Sequence, residues 1–282
     1  MKLLNKAVVF ILLSVLFFSC KKEYPQADVL LTRAEALYAS GNFKAAKLTI
    51  DSIAKVAPKA FPQINAGLSL LDSVRYGENI QIVTQSDTLL KQVEARLEQQ
   101  KGLFTYQLNP AYQDNGNYFP KSYPESLSGI GLYAGVEANG SLFLESVSNR
   151  SLQHSKLIVS TSDGASAETG IVTDDGGNYH FQSGGKSVEV VHFSGKRENG
   201  VAAFIVANHD KIQTVTLSGK ASASFSLSNK AKKGISDSYT LSHLFTQRDS
   251  LRFLIEKSKQ LIKYLDSRKE KEMTEKAKEH LK

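Results

Sequence analysis

The sequence has little of several residue types and motifs that mark common kinds of function. It contains one cysteine, no tryptophan, two methionines and six prolines among 282 residues. A single cysteine excludes a disulfide framework within the chain and a cysteine-based metal site. No Gly-x-Ser-x-Gly elbow, HExxH pair, phosphate loop or dinucleotide fingerprint occurs, so the sequence indicates none of the catalytic classes that these motifs mark.

One long apolar run is present, and it leads to the single cysteine. Lys2 and Lys6 precede the run, residues 7–18 are almost all apolar, and Ser19 stands directly before Cys20. A basic segment, an apolar core too short to span a bilayer comfortably and a small residue before the cysteine predict an export signal. The alternatives are an uncleaved signal anchor and a buried helix with an incidental thiol.

The segment that ends in Ser19-Cys20 resembles the lipobox of bacterial lipoproteins, although Phe17 and Phe18 depart from the usual residues there. The resemblance implies that residues 1–19 are a lipoprotein signal peptide and that Cys20 is lipidated. Lys21, Lys22 and Glu23 follow, without an aspartate next to the cysteine. By the same resemblance we expect an anchor in the outer membrane of the cell envelope, with the protein facing the periplasm.

The composition after Cys20 changes twice, from helix-forming to β-forming residues and back. This pattern predicts an α+β protein in which an antiparallel β-sandwich or barrel head is inserted between helices. The predicted segments are a tetratricopeptide-like helical region (20–77), a stalk helix and linker (78–123), a β-head (124–228), and a returning stalk helix with a charged tail (229–282).

The first helices are predicted at about 26–40 and 43–57, because apolar residues recur at helical spacing on both sides of Gly41-Asn42. The pair resembles one tetratricopeptide repeat through the residues Ala34, Gly41, Phe43, Ala46 and Pro58. An ordinary αα-hairpin with a glycine turn is the alternative. A third helix at roughly 61–75 is expected to cover the pair.

Residues 78–104 and 240–265 each carry apolar residues at coiled-coil spacing and have nearly equal lengths. They bracket the β-rich middle, so we predict an antiparallel helical stalk that carries the head. Arg248 and Ser258 interrupt the second seam and mark loose points in it. The alternative is that each helix packs separately on the β domain.

The middle of the chain is expected to form about nine short strands, separated by clusters of Gly, Asn, Asp and Ser. Asn139-Gly140 predicts a hairpin with a two-residue type I′ turn. Within the predicted strand 201–208, residues 201–206 are apolar on both faces, which predicts the central buried strand. The predicted strands are 131–136, 141–147, 157–161, 170–173, 179–182, 188–193, 201–208, 213–218 and 222–227.

The polar clusters of the head indicate no catalytic residue, metal site or cofactor. Residues 174–178 (Asp-Asp-Gly-Gly-Asn) place oxygen ligands in a glycine-rich turn, but the spacing of an EF-hand is absent, which favours a plain turn. His180, His192 and His209 match no ligand pattern, and isolated histidines of this kind are usually solvent-facing or turn residues.

Four tripeptides resemble the Asp-Ser/Thr-aliphatic acceptor of the O-glycosylation system in Bacteroides-type bacteria. Their acceptors are Ser52, Ser73, Thr88 and Ser250. Helices also favour Asp-Ser beside a buried aliphatic residue, so part of this excess has a structural origin. Together with the sequence Ser19-Cys20-Lys21-Lys22, these tripeptides make the chain resemble uncharacterised lipoproteins of that lineage. The resemblance implies a cellular location and no activity.

The function expected from these features is that of a membrane-tethered, non-enzymatic scaffold or binding subunit that presents the head to a protein or glycan. The partners are then the membrane, through the lipid, and that protein or glycan. The basic tail lacks aromatic residues for base stacking, and nucleic acid is not expected. The alternatives are a cell-envelope glycan or peptidoglycan hydrolase and a lipocalin-like carrier, which requires a closed barrel.

Overall fold

A computed structural model describes residues 23–110, 114–123, 129–173, 176–183 and 185–279. These residues form five α-helices and two antiparallel β-sheets, which confirms the predicted mixture of helical and β structure. The helices are α1 (Pro25–Ala39), α2 (Phe43–Val56), α3 (Phe61–Lys101), α4 (Val201–Ala207) and α5 (Asn229–Glu279). The strands are β1 (Phe104–Gln107), β2 (Asn117–Pro120), β3 (Ile130–Glu137), β4 (Leu142–Ser148), β5 (His154–Thr161), β6 (Ser166–Glu168), β7 (Asn178–Ser183), β8 (Lys186–Ser194), β9 (Gln213–Gly219) and β10 (Ser222–Ser226).

The chain divides into two compact units. We call them the helical unit, described over 23–84 and 256–279, and the β unit, residues 85–255. The helices α3 and α5 contribute residues to both units.

In the helical unit, α1 and α2 lie where the sequence predicts them. Gly41 has a φ of +73° and ends the first helix, and the Asn42 side chain accepts a hydrogen bond from the Ala45 amide to cap the second. Two small apolar clusters hold α1, α2 and the start of α3 together. Their fully or almost fully buried members are Ala27, Ala34, Ala46, Ile50, Ile53, Ala57, Ala60 and Val74.

The prediction of separate helices at 61–75 and 78–104 is wrong, because α3 is continuous over 41 residues. Gly77 lies between the two predicted segments. A Cβ atom on Gly77 would lie 2.9 Å from the ring of Phe43, so this glycine allows α2 to pack closely against α3. One glycine within a helix costs only about 1 kcal/mol relative to alanine, which the packing of the long helix offsets.

The second long helix, α5, extends beyond the predicted 240–265 at both ends. The Ser228 hydroxyl accepts a hydrogen bond from the Ala231 amide and caps its first turn. Of the two expected loose points, Ser258 is almost fully buried, and the guanidinium of Arg248 lies 4.8 Å from the centre of the Phe245 ring. Both positions are therefore packed.

Contacts join α3 and α5 within each unit. In the helical unit, Arg268 Nη1 lies 3.1 Å from Asp72 Oδ2. In the β unit, Arg252 Nη2 lies 2.6 Å from Glu94 Oε1. Leu97 of α3 also belongs to an apolar cluster with Leu241, Leu244 and Phe245 of α5 and with Phe104 and Val136 of the sheet.

The β unit contains a six-stranded sheet in the order β1-β2-β3-β4-β8-β7 and a four-stranded sheet in the order β10-β9-β5-β6. Neither sheet closes on itself within the described residues, so the barrel alternative is wrong. A lipocalin-like carrier requires a closed barrel, and the described residues do not form one. The strands β1 and β2 lie in a stretch that was assigned from sequence to the end of the stalk helix and the linker.

One large apolar cluster forms the core of the β unit, and both sheets contribute to it. Leu132 and Phe193 come from the six-stranded sheet, and Leu157 and Leu217 come from the four-stranded sheet. Ile235 of α5 is fully buried in the same cluster. The core therefore includes a residue that lies outside the predicted head.

The predicted central strand at 201–208 is wrong, because these residues form α4. Glu198 Oε1 and Oε2 accept hydrogen bonds from the amides of Ala202 and Gly200 and so cap its N-terminus. At the other end, the Gln213 side chain donates hydrogen bonds to two carbonyls, those of Ile205 and Asn208. A short apolar run bounded by such caps is buried as a helix as readily as a strand.

The other predicted strands, apart from 170–173, coincide with observed ones. After Thr169 the regular pairing with β5 is interrupted, because the Gly170 amide donates a hydrogen bond to the Arg197 carbonyl. One hydrogen bond to β5 follows, from the Val172 amide to the Ser155 carbonyl. The short strand β6 precedes this point and pairs with β5 instead.

Candidate functional site

A cavity of about 850 Å³ opens on the β unit, and we call it the cleft. Its walls come from the segment before β2, from the turn between β3 and β4, and from side chains of β4, β7 and β8. The lining residues are Asp114, Asn115, Gly116, Asn117, Glu137, Ala138, Asn139, Glu145, Gly176, Tyr179 and His192.

The turn between β3 and β4 forms one wall of the cleft. The predicted hairpin is present, with Val136 opposite Leu142. The predicted two-residue type I′ turn is wrong, because Gly140 has a φ of +91° whereas Asn139 does not have a positive φ. The loop is a three-residue one with glycine in the left-handed position. Asn139 accepts a hydrogen bond from the Ser141 amide and donates one to Glu137 Oε2.

The helix α5 holds this turn in place. A Cβ atom on Gly140 would lie 2.4 Å from Cβ of Phe245, so the turn and the helix are in close contact. The Ser242 hydroxyl also donates a hydrogen bond of 2.7 Å to the Gly140 carbonyl. Gly140 is therefore required both for its backbone conformation and for the space that it leaves.

The floor of the cleft is a paired glutamate and histidine on neighbouring strands. Glu145 of β4 lies opposite His192 of β8, and Oε1 of the glutamate is 3.2 Å from Nδ1 of the histidine. The His192 ring also packs against the ring of Phe143, with centroids 4.7 Å apart. Alternation along β4 places Phe143 and Glu145 on the same face of the sheet.

Two exposed aromatic rings extend from the cleft along the edge strand β7. Tyr179 and Phe181 have ring centroids 6.5 Å apart and nearly parallel planes. Burial raises the pKa of the Tyr179 hydroxyl, and the charge of Glu145 raises it further. A tyrosine hydroxyl is protonated at neutral pH even at its ordinary pKa of about 10, so Tyr179 can donate a hydrogen bond to a ligand.

Among the described residues that line it, the cleft is polar and carries acidic side chains but no lysine or arginine. Its three asparagine side chains each offer donors and an acceptor, and its three carboxylates offer acceptors. Among the residues that the structure describes, no group of three or more His, Cys, Asp or Glu side chains could hold a metal ion. Such a lining suits a ligand with many hydroxyl or amine groups.

A second polar cluster lies inside the β unit and was not found from the sequence. Nε2 of His154 lies 2.6 Å from the Ser146 hydroxyl. Nδ1 lies 2.7 Å from Glu189 Oε1, although its N–H direction is not aligned for a hydrogen bond. The order serine, histidine, glutamate is that of a catalytic triad.

We interpret this cluster as structural, because the side chains of Ser146, His154 and Glu189 are almost completely buried. Glu189 Oε2 accepts hydrogen bonds from the amides of Leu152 and Gln153, and Oε1 accepts one from the amide of His154. The carboxylate thereby fixes a bend in which Gln153 has a φ of +47°. The sequence feature that could have indicated this buried cluster is the lone Glu189 within the valine run 188–191.

The buried histidine predicts that stability decreases in mild acid. Burial lowers the pKa of the His154 imidazole, and the nearby charge of Glu189 opposes this effect only in part. The unfolded chain, with a histidine pKa of about 6.5, binds the proton more readily than the folded chain does. The stability from neutral His154 is therefore present above about pH 6.5 and is lost as the pH falls below it.

We expect the Tm, followed by circular dichroism, to fall between about pH 6.5 and 5. The variant His209→Gln, at an exposed position after α4, should show the same fall. A smaller fall is expected for His154→Gln. A Tm that stays constant or rises towards pH 5 in the unmodified chain would contradict this interpretation.

The structure places the other sequence candidates as follows. Cys20, Asp174 and Asp175 lie outside the described residues. His180 is exposed on β7, and His209 is exposed after α4. His192 is the histidine that the fold brings to the cleft, through a cross-strand pair with Glu145 that is 47 residues away in sequence.

The four candidate glycosylation acceptors all lie in helices, and their modification stays a prediction. Ser73, Thr88 and Ser250 are exposed. Ser52 is half-buried, and its hydroxyl donates a hydrogen bond to the Leu48 carbonyl.

Comparison of the chain with protein-family models, curated proteins and solved structures found no significant match. A search of the described helices found none with the length and apolar character needed to cross a membrane.

Proposed function

We propose that this chain is a lipid-anchored, non-enzymatic binding protein whose β unit binds a glycan in the cleft. The observation that carries the proposal is the composition of the cleft beside the aromatic pair. Amide and carboxylate groups form hydrogen bonds with sugar hydroxyls, and the flat faces of aromatic rings suit the apolar faces of sugar rings. Tyr179 belongs to both the polar lining and the aromatic pair, because it lines the cleft and stacks with Phe181.

The remaining parts of the proposed architecture have separate support. The core shared by the two sheets supports a β-sandwich. The ion pairs between α3 and α5 support an antiparallel helical stalk. The clusters that join α1, α2 and α3 support a tetratricopeptide-like helical layer. In this proposal the stalk and the helical layer are a scaffold for the head.

The proposed anchor is supported by the sequence. The basic start, the apolar run and Ser19-Cys20 favour lipidation of Cys20, and the absence of an aspartate after it favours the outer membrane, on the periplasmic face. A lipid-anchored protein in that position meets envelope glycans at close range.

A hydrolase that acts on an envelope glycan is the second candidate, because Glu137 and Glu145 both line the cleft. Glycosidases use two carboxyl groups, one of which donates a proton to the leaving oxygen. Here each glutamate has an oxygen occupied by a neighbouring side chain, Asn139 Nδ2 at 2.9 Å and His192 Nδ1 at 3.2 Å. Because these oxygens already contact neighbouring side chains, we favour binding of a glycan over transfer of a proton to its leaving oxygen.

Titration of the full chain with the hexamer of N-acetylglucosamine, by isothermal calorimetry, tests the proposal. We expect saturable binding, and we expect Tyr179→Ala to weaken it about tenfold or more, as the loss of a central aromatic contact does. Phe253→Ala is the matched control, because Phe253 is 70% exposed on α5 and does not line the cleft.

Equal weakening by both aromatic variants, or no binding of the hexamer and of soluble peptidoglycan fragments, would refute glycan binding in the cleft. Chromatography of the hexamer after incubation tests the second candidate. Release of shorter oligomers that stops in Glu145→Gln would establish a hydrolase instead.

A further inference from the structure

One end of the helical unit lies close to the proposed lipid anchor. Tyr24 directly precedes α1, and the chain from Cys20 to Tyr24 is four residues long. Four residues span at most about 14 Å even when they are fully extended. With Cys20 lipidated, Tyr24 is therefore held within about 14 Å of the membrane surface, whatever path the connecting residues take.

The turn between α2 and α3 lies at the same end of the unit. Tyr24 packs against an apolar cluster that contains Ala57 and Ala60, both of which belong to this turn. Asp28 Oδ1, in the first turn of α1, accepts a hydrogen bond of 2.8 Å from Gln63 Nε2 at the start of α3. The starts of α1 and α3 are therefore neighbours, so a membrane close to the first is also close to the second.

Apolar and basic side chains are exposed together at this end, which we call the proximal end and define as residues 55–61. Phe61 is 65% exposed and Val56 is 50% exposed. Lys55 and Lys59 are exposed beside them in the sequence. A single exposed apolar residue is common on a protein surface. Two of them interspersed with lysines, at the end nearest the lipid, form the combination by which proteins bind a membrane surface.

The two lysines of the proximal end are available to an anionic partner. Among the described residues, neither Lys55 nor Lys59 forms an ion pair. The acidic residues closest to this end in the sequence are Glu23, Asp28 and Asp51, and Asp28 already accepts a hydrogen bond. A lysine close to an anionic lipid surface strengthens binding about fivefold.

We infer that the proximal end docks on the surface of an anionic phospholipid bilayer. Phe61 and Val56 enter the boundary between the headgroups and the acyl chains, and Lys55 and Lys59 contact the headgroup phosphates. The inference rests on the proposed lipidation of Cys20, which supplies the tether, and concerns a surface separate from the cleft. The lipid and the docked surface together hold the helical unit in one orientation at the membrane, which a flexible lipid tether alone does not do.

A single tryptophan reports this docking, because the natural chain contains none. The variant Phe61→Trp places the tryptophan at the proximal end. Phe253→Trp is the matched control, because Phe253 is 70% exposed and lies on the part of α5 that belongs to the β unit. Both variants are made in the chain without residues 1–19, which is its mature form in the proposed function and contains every described residue.

Vesicles that contain a maleimide phospholipid supply the tether. Cys20, the single cysteine, couples to this lipid, so the measurement does not depend on whether cells lipidate it. On vesicles of phosphatidylethanolamine and phosphatidylglycerol, we expect the Phe61→Trp emission to shift to shorter wavelength and to be quenched by brominated acyl chains. The Phe253→Trp emission should stay as it is in solution. Vesicles of phosphatidylcholine should give a smaller shift of the Phe61→Trp emission, because they carry no net charge.

Removal of the two lysines tests the charge contribution. In the Phe61→Trp chain, we expect Lys55→Gln combined with Lys59→Gln to weaken docking about tenfold or more, as the loss of two lysines from an anionic lipid surface does. Lys257→Gln combined with Lys259→Gln is the matched control. It removes the same charge from exposed positions of α5 and should leave docking unchanged.

Several results would overturn the inference. These are an unshifted Phe61→Trp emission on anionic vesicles, equal shifts in the two tryptophan variants, and equal shifts on anionic and neutral vesicles. A shift that appears without vesicles and grows with protein concentration would overturn it in favour of contact between copies of the chain. Labelling of Cys20 with a fatty acid in cells tests the anchor separately. Absence of the label, with docking intact on coupled vesicles, would contradict the proposed anchor and leave the docking surface established.

Discussion

A fragment of residues 124–228, the head predicted from the sequence, is expected not to fold, whereas residues 85–255 are expected to fold cooperatively. The shorter fragment lacks β1 and β2 and the whole of α5. Ile235, which is fully buried in the main core, is lost with α5. Removal of one such side chain costs about 2–5 kcal/mol, out of a typical total stability of 5–15 kcal/mol.

The second apolar cluster is also lost from the short fragment. Leu97, Phe104 and Leu241 are absent, which exposes Val136 on β3. Circular dichroism and thermal unfolding of the two fragments measure whether each one folds cooperatively. A cooperative, β-rich transition in 124–228 would show that the helices merely cover a head that is stable without them.

The substitution Glu189→Gln is expected to lower the free energy of unfolding by about 3–5 kcal/mol, as does the removal of one partner from a buried charged cluster. The glutamate accepts hydrogen bonds from three consecutive amides and faces His154. In the glutamine variant, an NH₂ group faces some of these N–H donors and leaves them without an acceptor.

Urea unfolding measures this effect, and Glu168→Gln serves as the control, because it changes an exposed glutamate and is expected to cost less than about 0.5 kcal/mol. Ser146→Ala should fall between the two, at about 1–3 kcal/mol, since it leaves Nε2 of a buried histidine unpaired. Similar midpoints for all three variants would show that the buried cluster is not a major source of stability.

The parts of the fold that the sequence predicted correctly depend on local signals. The break between α1 and α2 follows from Gly41-Asn42, and the hairpin of β3 and β4 follows from Asn139-Gly140 between apolar runs. Each of these signals acts within a few residues of the chain. The backbone conformation that a glycine supplies does not depend on distant partners.

The errors occurred where tertiary contacts decide between local alternatives. Gly77 is a helix breaker by propensity, but the ring of Phe43 explains its presence within a continuous helix. Residues 201–208 have strand-forming composition, but Glu198 and Gln213 cap them as a helix inside the core. The contact of Gly77 with Phe43 is not visible from the local sequence, because it depends on how the helices pack. The caps of α4 come from residues close in sequence, but a short buried apolar run does not by itself distinguish a helix from a strand.

The cleft could not be predicted for a related reason. Glu145 and His192 meet only because β8 pairs with β4, and Asp114 arrives from a different part of the chain. The alternation along each strand does identify the face on which these side chains lie. The order of the strands in the sheet, which brings the faces together, is set by long-range packing.

The contact of Gly140 with Phe245 has a thermodynamic consequence for ligand binding. One wall of the cleft is the turn that α5 holds through this contact and through the Ser242 hydroxyl. A ligand that orders the turn must then also favour the observed position of α5 at Phe245. Linkage of this kind is reciprocal. The free energy by which a bound ligand favours the observed position of α5 is therefore the free energy of binding that is lost when a perturbation displaces the helix there.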